Sequence, residues 1–234
     1  VRGHPVLYLD RARPGGRRQL QRWGIPCSLF RDLEEFKQIL TQARPSLVIA
    51  SLGAIPPALA LADSLKAPVV AYLQSFEFCP PDRRELHEWQ TRDDRNYPAR
   101  DTCRSILKQA SRIWVNSHFL QARVTEQHGL ESQVVYPEIL PQHLPRRRDG
   151  DAIVGVCGYP YKGSEIFLDL AQQFPEQKFL LAGALHPDTA SQLRSLSNVE
   201  HWPFVENGHF LRRARLLLVP SQWPEPFGRV AVEA

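Results

Sequence analysis

Methionine is missing from the sequence altogether, position 1 included. The last stretch also breaks off two turns into a helix-like segment, so a piece of a longer polypeptide, incomplete at both ends, is the expectation. Cysteine is scarce. Cys27, Cys79, Cys103 and Cys157 stand far apart, with neither the close pairs of a metal site nor the density of a disulfide framework. That excludes a disulfide-stapled secreted scaffold and favours a reducing, cytoplasmic setting. No apolar run approaches the ~20 residues that cross a bilayer, and no stretch reads as a signal peptide. Basic residues interleaved with aromatics, the mark of nucleic-acid recognition, are absent as well. Gly15-Gly16 lacks the spacing of a dinucleotide-binding loop and reads as a plain turn.

What remains is a chain of 234 residues, 43% hydrophobic, with a formal net charge of +4. Such a length suits one large or two small domains. The excess charge comes mainly from arginine, in Arg17-Arg18, Arg146-Arg147-Arg148 and Arg212-Arg213. These clusters attract an anionic membrane face or nucleic acid. Their plainer role is as solvated helix ends and linker. Peripheral contact at the inner face of a membrane is therefore kept as a partner expectation, and nucleic acid is not.

Short apolar runs alternate with helical periods along the first half. Residues 5–9, 26–30, 46–50 and 67–73 read as strands, and 14–20 as a short helix ending at Gly24. Asp32 and Glu35 form a capping box for a helix with Leu33, Phe36, Ile39 and Leu40 on one face. A helix follows over 56–65. After Leu73 the period is lost over 74–99, beyond the carboxyl end of a strand, where open parallel sheets place ligand loops. Gln74 and Glu77 open that loop, and a pairing of Glu77 with Arg83 or Arg84 is the rival reading. His87 reads as a surface residue. Asp93-Asp94 is not an Asp-x-Asp metal motif, so no metal and no cofactor is expected. A helix over 101–111, a strand over 112–116 and a helix over 118–128, capped by Ser117 and closed by Gly129, complete this half with a strand over 134–137.

Residues 139–151, with their prolines and arginine run, read as a linker between a first domain (1–138) and a second (152–234). The second half repeats the alternation: strands at 152–158, 179–183 and 198–205, helices from 166, over 188–196 and over 207–214. The whole predicts an α/β protein of two Rossmann-like domains, with parallel sheets flanked by helices.

The chain ends on the stretch most able to carry chemistry. Leu216-Leu217-Leu218-Val219 reads as a buried parallel strand. Behind it come Pro220, Ser221, Pro224, Glu225, Pro226, Phe227 and Gly228, then the helix start Arg229-Val230-Ala231-Val232-Glu233. A stiff strand–helix turn with glycine beside it holds an anion on free amides and the helix dipole. Glu225 and Glu233 would repel that anion, and suit hydroxyls of a sugar and a ribose instead. The alternative is an ordinary strand–helix connection with Glu233 a solvated helix residue.

The string Ser221…Glu225-Pro226-Phe227-Gly228…Val232-Glu233-Ala234 closely resembles the signature of the retaining glycosyltransferases of family four, which have the GT-B architecture. The resemblance implies that Glu225 contacts donor-sugar hydroxyls, that Phe227, Gly228 and Arg229 lie against sugar and phosphate, and that Glu233 binds the nucleotide ribose. Gly158-Tyr159-Pro160-Tyr161-Lys162-Gly163 matches the place where the family has a Gly-Arg pair and then Lys-Gly, two cations clasping the donor diphosphate. Here Lys162-Gly163 is kept, the loop is shorter and the arginine is missing, with Arg229 the candidate replacement. Phe204 and Val205 fall in the family's loop beside the nucleotide base. Gln74-Ser75-Phe76-Glu77 resembles the Gln-x-x-Glu variant of a rhamnosyltransferase-like subgroup, which puts Gln74 and Glu77 on the acceptor side. The implied activity is sugar transfer from a nucleotide-sugar to a hydroxyl acceptor (glycan, lipid-linked or small molecule) with retained configuration and no metal. Polysaccharide biosynthesis is among the settings it leaves open. A nucleotide-sugar epimerase or hydrolase on the same fold, and a non-catalytic nucleotide-binding fragment, are the alternatives.

Overall fold

The computed structural model describes residues 7–11, 19–22, 25–80, 99–139, 144, 150–203 and 207–234. Two four-stranded parallel sheets, each flanked by helices, organise the chain.

The first domain begins with three strands, β1 (Tyr8–Arg11), β2 (Gln19–Arg22) and β3 (Ile25–Phe30). They form a small sheet ordered β1-β3-β2, with β1 parallel and β2 antiparallel to β3. The strand β2 stands where the sequence predicts the end of a short helix. Gln19-Leu20-Gln21-Arg22 alternates with a period of two, and only two residues separate it from β3, the spacing of a hairpin. Helix α1 (Leu33–Ala43) follows. Its N-cap Asp32 accepts a hydrogen bond from the Glu35 amide at 2.9 Å. Glu35 reaches back one residue further than a reciprocal box requires, accepting from the Arg31 amide at 2.8 Å. Phe36 and Leu40 are buried, but Leu33, expected on the same face, is exposed at the first turn.

The principal sheet of this domain is β4 (Val48–Ser51), β5 (Val69–Leu73), β6 (Arg112–Val115) and β7 (Gln133–Val134), in that order and all parallel. Helices α2 (Ile55–Leu65), α3 (Arg100–Leu107) and α4 (His118–His128) connect them. The run Val69-Val70-Ala71-Tyr72-Leu73 supplies the central strand because it is apolar on both faces, as a strand covered by helices must be. Ser117 caps α4 by accepting from the Leu120 amide at 3.2 Å, and Gly129 ends it in the left-handed region at φ 62°. The core joins Phe36, Ile55, Val69, Phe76, Leu107, Leu120 and their neighbours.

The second domain has β8 (Ala152–Gly155), α5 (Ser164–Gln173), β9 (Lys178–Ala182), α6 (Pro187–Leu193), β10 (Val199–Trp202), α7 (Asn207–Arg212), β11 (Ala214–Leu217) and α8 (Arg229–Glu233). Its parallel sheet is ordered β10-β9-β8-β11. The chain therefore starts at β8, moves outward twice, and returns to the other side of β8. The strand order reverses between β8 and β11, and open parallel sheets have their ligand crevice at such a reversal, past the carboxyl ends of the strands. The last strand begins two residues earlier than its apolar run suggests, and it lies at the sheet's edge. Leu216 is 52% exposed, so this strand is not buried on both faces as expected, and Val219, expected in the same run, lies beyond its end.

Two measurements test this account. Ser117→Ala should cost about 1 kcal/mol of stability in urea denaturation, the usual value of a helix cap, because the hydroxyl acts on α4 and not on a ligand. Burial pushes the Cys79 and Cys157 thiols up to about 12. At pH 8 both are then essentially all thiol, so neither should be alkylated by iodoacetamide until the chain is unfolded, as read by mass spectrometry.

Candidate functional site

The loops that follow β8 and β11 meet at the crevice. After β8 the chain makes a 3-10 turn over Pro160–Lys162, and Gly163 then starts α5. Gly163 is glycine for two reasons. Its φ is 80°, and a Cβ there would stand 2.1 Å from the carbonyl oxygen of Pro220 in the opposite loop. Gly158 is set by packing within the domain, since a Cβ would stand 2.2 Å from the Ala184 carbonyl oxygen. Gly228, at φ 71°, has open space around the place a Cβ would occupy.

Close backbone approach brings the side chains together. The Lys162 ammonium donates to Oε1 of Glu225, across 63 positions of sequence. Ser221 Oγ donates to the same carboxylate oxygen at 2.9 Å, and the Gln222 amide donates to the Tyr161 carbonyl at 3.0 Å. About three quarters of each charged side chain is shielded from solvent. The two residues expected at the diphosphate and at the donor sugar thus form an ion pair with each other. A second pair closes one turn of α8: Arg229 Nε donates to Glu233 Oε1 at 2.6 Å. Glu233 is only 4% exposed, so it is a buried, paired carboxylate and not the solvated residue of the simpler alternative. Arg229, which sequence reasoning offered as a second diphosphate cation, is engaged with Glu233 here.

The loop after β5 faces this assembly from the first domain. Gln74 is exposed, and its carbonyl accepts from the Asn116 side-chain amide at 2.8 Å, which fixes the start of the loop. Phe76, fully buried, meets Trp223 edge-on at 5.3 Å between centroids. Tyr136 of the first domain and Phe227 are 5.9 Å apart. The Gln74–Glu77 stretch and the Glu225 loop are therefore brought together. Phe204, Val205, Arg83, Arg84, His87, Asp93 and Asp94 lie outside the described residues, as do most of 139–151.

Sequence reasoning missed Trp223, which lies between Phe76, Tyr161 and Lys162. The available signal was a tryptophan two residues before a site carboxylate. Among the described residues, no three of His, Cys, Asp or Glu cluster as metal ligands. No helix among them is long and apolar enough to cross a membrane.

A solved structure decides the architecture. Anabaena Alr3699/HepE, determined in complex with UDP and glucose, superposes with a TM-score of 0.68 at 19% identity, over 90% of this chain and 65% of that one. The architecture is GT-B. In sequence, an uncharacterized 42.6 kDa protein in the cps region of Klebsiella pneumoniae is 40% identical over 75 residues, which is 31% of this chain and 20% of that protein. No protein-family model matches. The chain thus spans less than two thirds of the length of either relative. On the GT-B frame, the crevice between β8 and β11 lies in the second domain and faces the loop after β5 of the first.

The two glycines separate backbone packing from open space. Gly163→Ala should lower the midpoint of thermal unfolding well beyond Gly228→Ala. Both bear the cost of a left-handed residue, about 1–2 kcal/mol, but only the first adds a clash with backbone that cannot yield.

Proposed function

We propose that the chain handles the donor in a glycosyltransferase that moves a sugar from a nucleotide-sugar to a hydroxyl acceptor with retention of configuration. The observation that carries this reading is the convergence of Lys162, Ser221 and Glu225 at the strand-order reversal of the second domain. A cation at a helix entrance beside a carboxylate and a hydroxyl matches a ligand with a diphosphate at one end and sugar hydroxyls at the other. The UDP and glucose held by the Anabaena protein support a donor of that class, and the Glu225…Glu233 string supports the retaining mechanism of family four.

The donor enters by exchange of partners. Its diphosphate takes the Lys162 ammonium from Glu225, and a sugar hydroxyl donates to the carboxylate that is left. Each buried charge keeps a partner throughout, so neither bears the cost of isolation. Lys162 and the first amides of α5, rather than a metal, then stabilise the charge that grows on the leaving group. The bond between the anomeric carbon and the diphosphate oxygen breaks with its electron pair going to the diphosphate. The acceptor oxygen attacks the oxocarbenium-like carbon from the same face, and its proton passes to the departing phosphate oxygen. Gln74 and Glu77 serve the acceptor side. Glu233, Phe227 and Gly228 serve the nucleotide side, and Gly158, Gly163 and the Arg229–Glu233 pair shape the loops. The acceptor is a glycan, a lipid-linked sugar or a small molecule, with polysaccharide assembly at the inner face of a membrane the proposed setting.

Radiolabelled donors, screened with and without acceptor in the full-length protein, test the reading. Lys162→Ala and Glu225→Ala should each reduce transfer by roughly 100-fold or more, the scale of losing one preorganised charge stabiliser. Wild-type transfer rates in either variant would falsify the assignment. Free sugar or an epimerised donor formed at full rate without acceptor would turn it toward a hydrolase or an epimerase.

A further inference from the structure

Trp223 belongs by sequence to the second domain, yet it packs on the core of the first. Its ring meets Phe76 at 5.3 Å and 72°, and Tyr161 at 5.1 Å and 66°, both edge-to-face. The Lys162 ammonium stands 4.9 Å from the Trp223 ring centroid, and 5.8 Å from that of Tyr161. The indole N–H is buried with no acceptor among the described residues. The contacts that place the ring are those of its faces and edges. Phe76 in turn is braced by Phe119 at 6.0 Å, with the Arg123 guanidinium 5.9 Å from its centroid. Phe76 lies between Gln74 and Glu77, so a line of contact runs from the loop after β5, through one indole, to the lysine of the donor loop.

We propose that Trp223 is a positioning residue for Lys162: seated on the first domain, its ring holds the ammonium at the crevice while the partner of that ammonium changes. The proposal rests on the reading of Lys162 as the diphosphate cation. A lysine has a long flexible stem, and losing its carboxylate partner would release it to solvent. The negative face of an indole attracts an ammonium at this separation and does not compete with phosphate for a proton or a hydrogen bond. The aromatic contacts with Phe76 and Tyr161 keep that face turned toward the crevice. The seat of the ring is in the first domain, so the donor lysine takes its position from the domain that carries Gln74 and Glu77.

The test is calorimetric titration of the wild type and of Trp223→Leu, Trp223→Phe, Lys162→Ala and Trp223→Leu/Lys162→Ala with UDP, GDP, ADP, dTDP and inorganic pyrophosphate. Trp223→Leu should weaken the best-bound probe about two- to fivefold, the worth of an exposed to partly buried cation–π contact. Trp223→Phe should stay within about twofold, because a phenyl face remains. In the Lys162→Ala background the leucine substitution should have no further effect. An equal loss for Phe and Leu, or the same factor with and without Lys162, would overturn the positioning role and leave the nucleotide-sugar reading intact. If no probe binds the wild type, or if Lys162→Ala binds as well as wild type, the reading of the site fails and the positioning role fails with it. Should Trp223→Leu not fold, uniform fluorotryptophan gives a shape-preserving equivalent over the 5 tryptophans. It weakens the ring's negative face, and affinity should fall in the wild type but not in Lys162→Ala. An equal fall in both would overturn the proposal.

Discussion

The ion pair between Lys162 and Glu225 is the constraint around which the second domain's working end is arranged. Both side chains are about three-quarters shielded, and a charge so placed must have a partner. The pair ties the loop after β8 to the loop after β11. The backbone repeats the same tie, through the Gln222 amide on the Tyr161 carbonyl and through Gly163 packed beneath Pro220. The two loops behave as one piece. Among the described residues, Lys162–Glu225 is the ion pair that joins these two loops.

Aromatic contacts extend this piece into the first domain. Trp223 on Phe76, and Phe227 on Tyr136, are separate contacts between the donor loop and the first domain. Burial of apolar surface has no direction, but the edge-to-face packing of Trp223 on Phe76 does, and the tilted Tyr136–Phe227 contact adds a second point of apposition. The loop after β5 is held in its own domain by the Asn116 amide on the Gln74 carbonyl and by the buried ring of Phe76. The loop after β5 and the loop after β11 are thus held against each other by Trp223 on Phe76.

Much of the fold could be read without coordinates because the signals are local. Val69-Val70-Ala71-Tyr72-Leu73 is a continuous hydrophobic run and so reads as a strand. Asp32 and Ser117 cap helices through amides three residues away, and Gly129 ends one by its own backbone freedom. The Lys162-Gly163 and Glu225…Glu233 strings stood out in the sequence through their resemblance to a family signature, and the structure places Lys162 against Glu225. Burial of Leu216 could not be read, because it depends on whether a further strand lies beside β11 among the described residues, and none does. The strand β2 was missed because its hydrogen bonds come from another segment and not from its own helical turns.

From the sequence alone came the alternation of strands and helices and the caps: both are decided by spacings of a few residues, within which backbone geometry allows few outcomes. Only the tertiary structure decided which residues answer one another at the site. Lys162 meets Glu225, and Trp223 leaves its own domain for Phe76. Contacts across 63 residues, or between sheets, are set by strand order and by which loops a reversal of that order brings together, and no local pattern encodes that order.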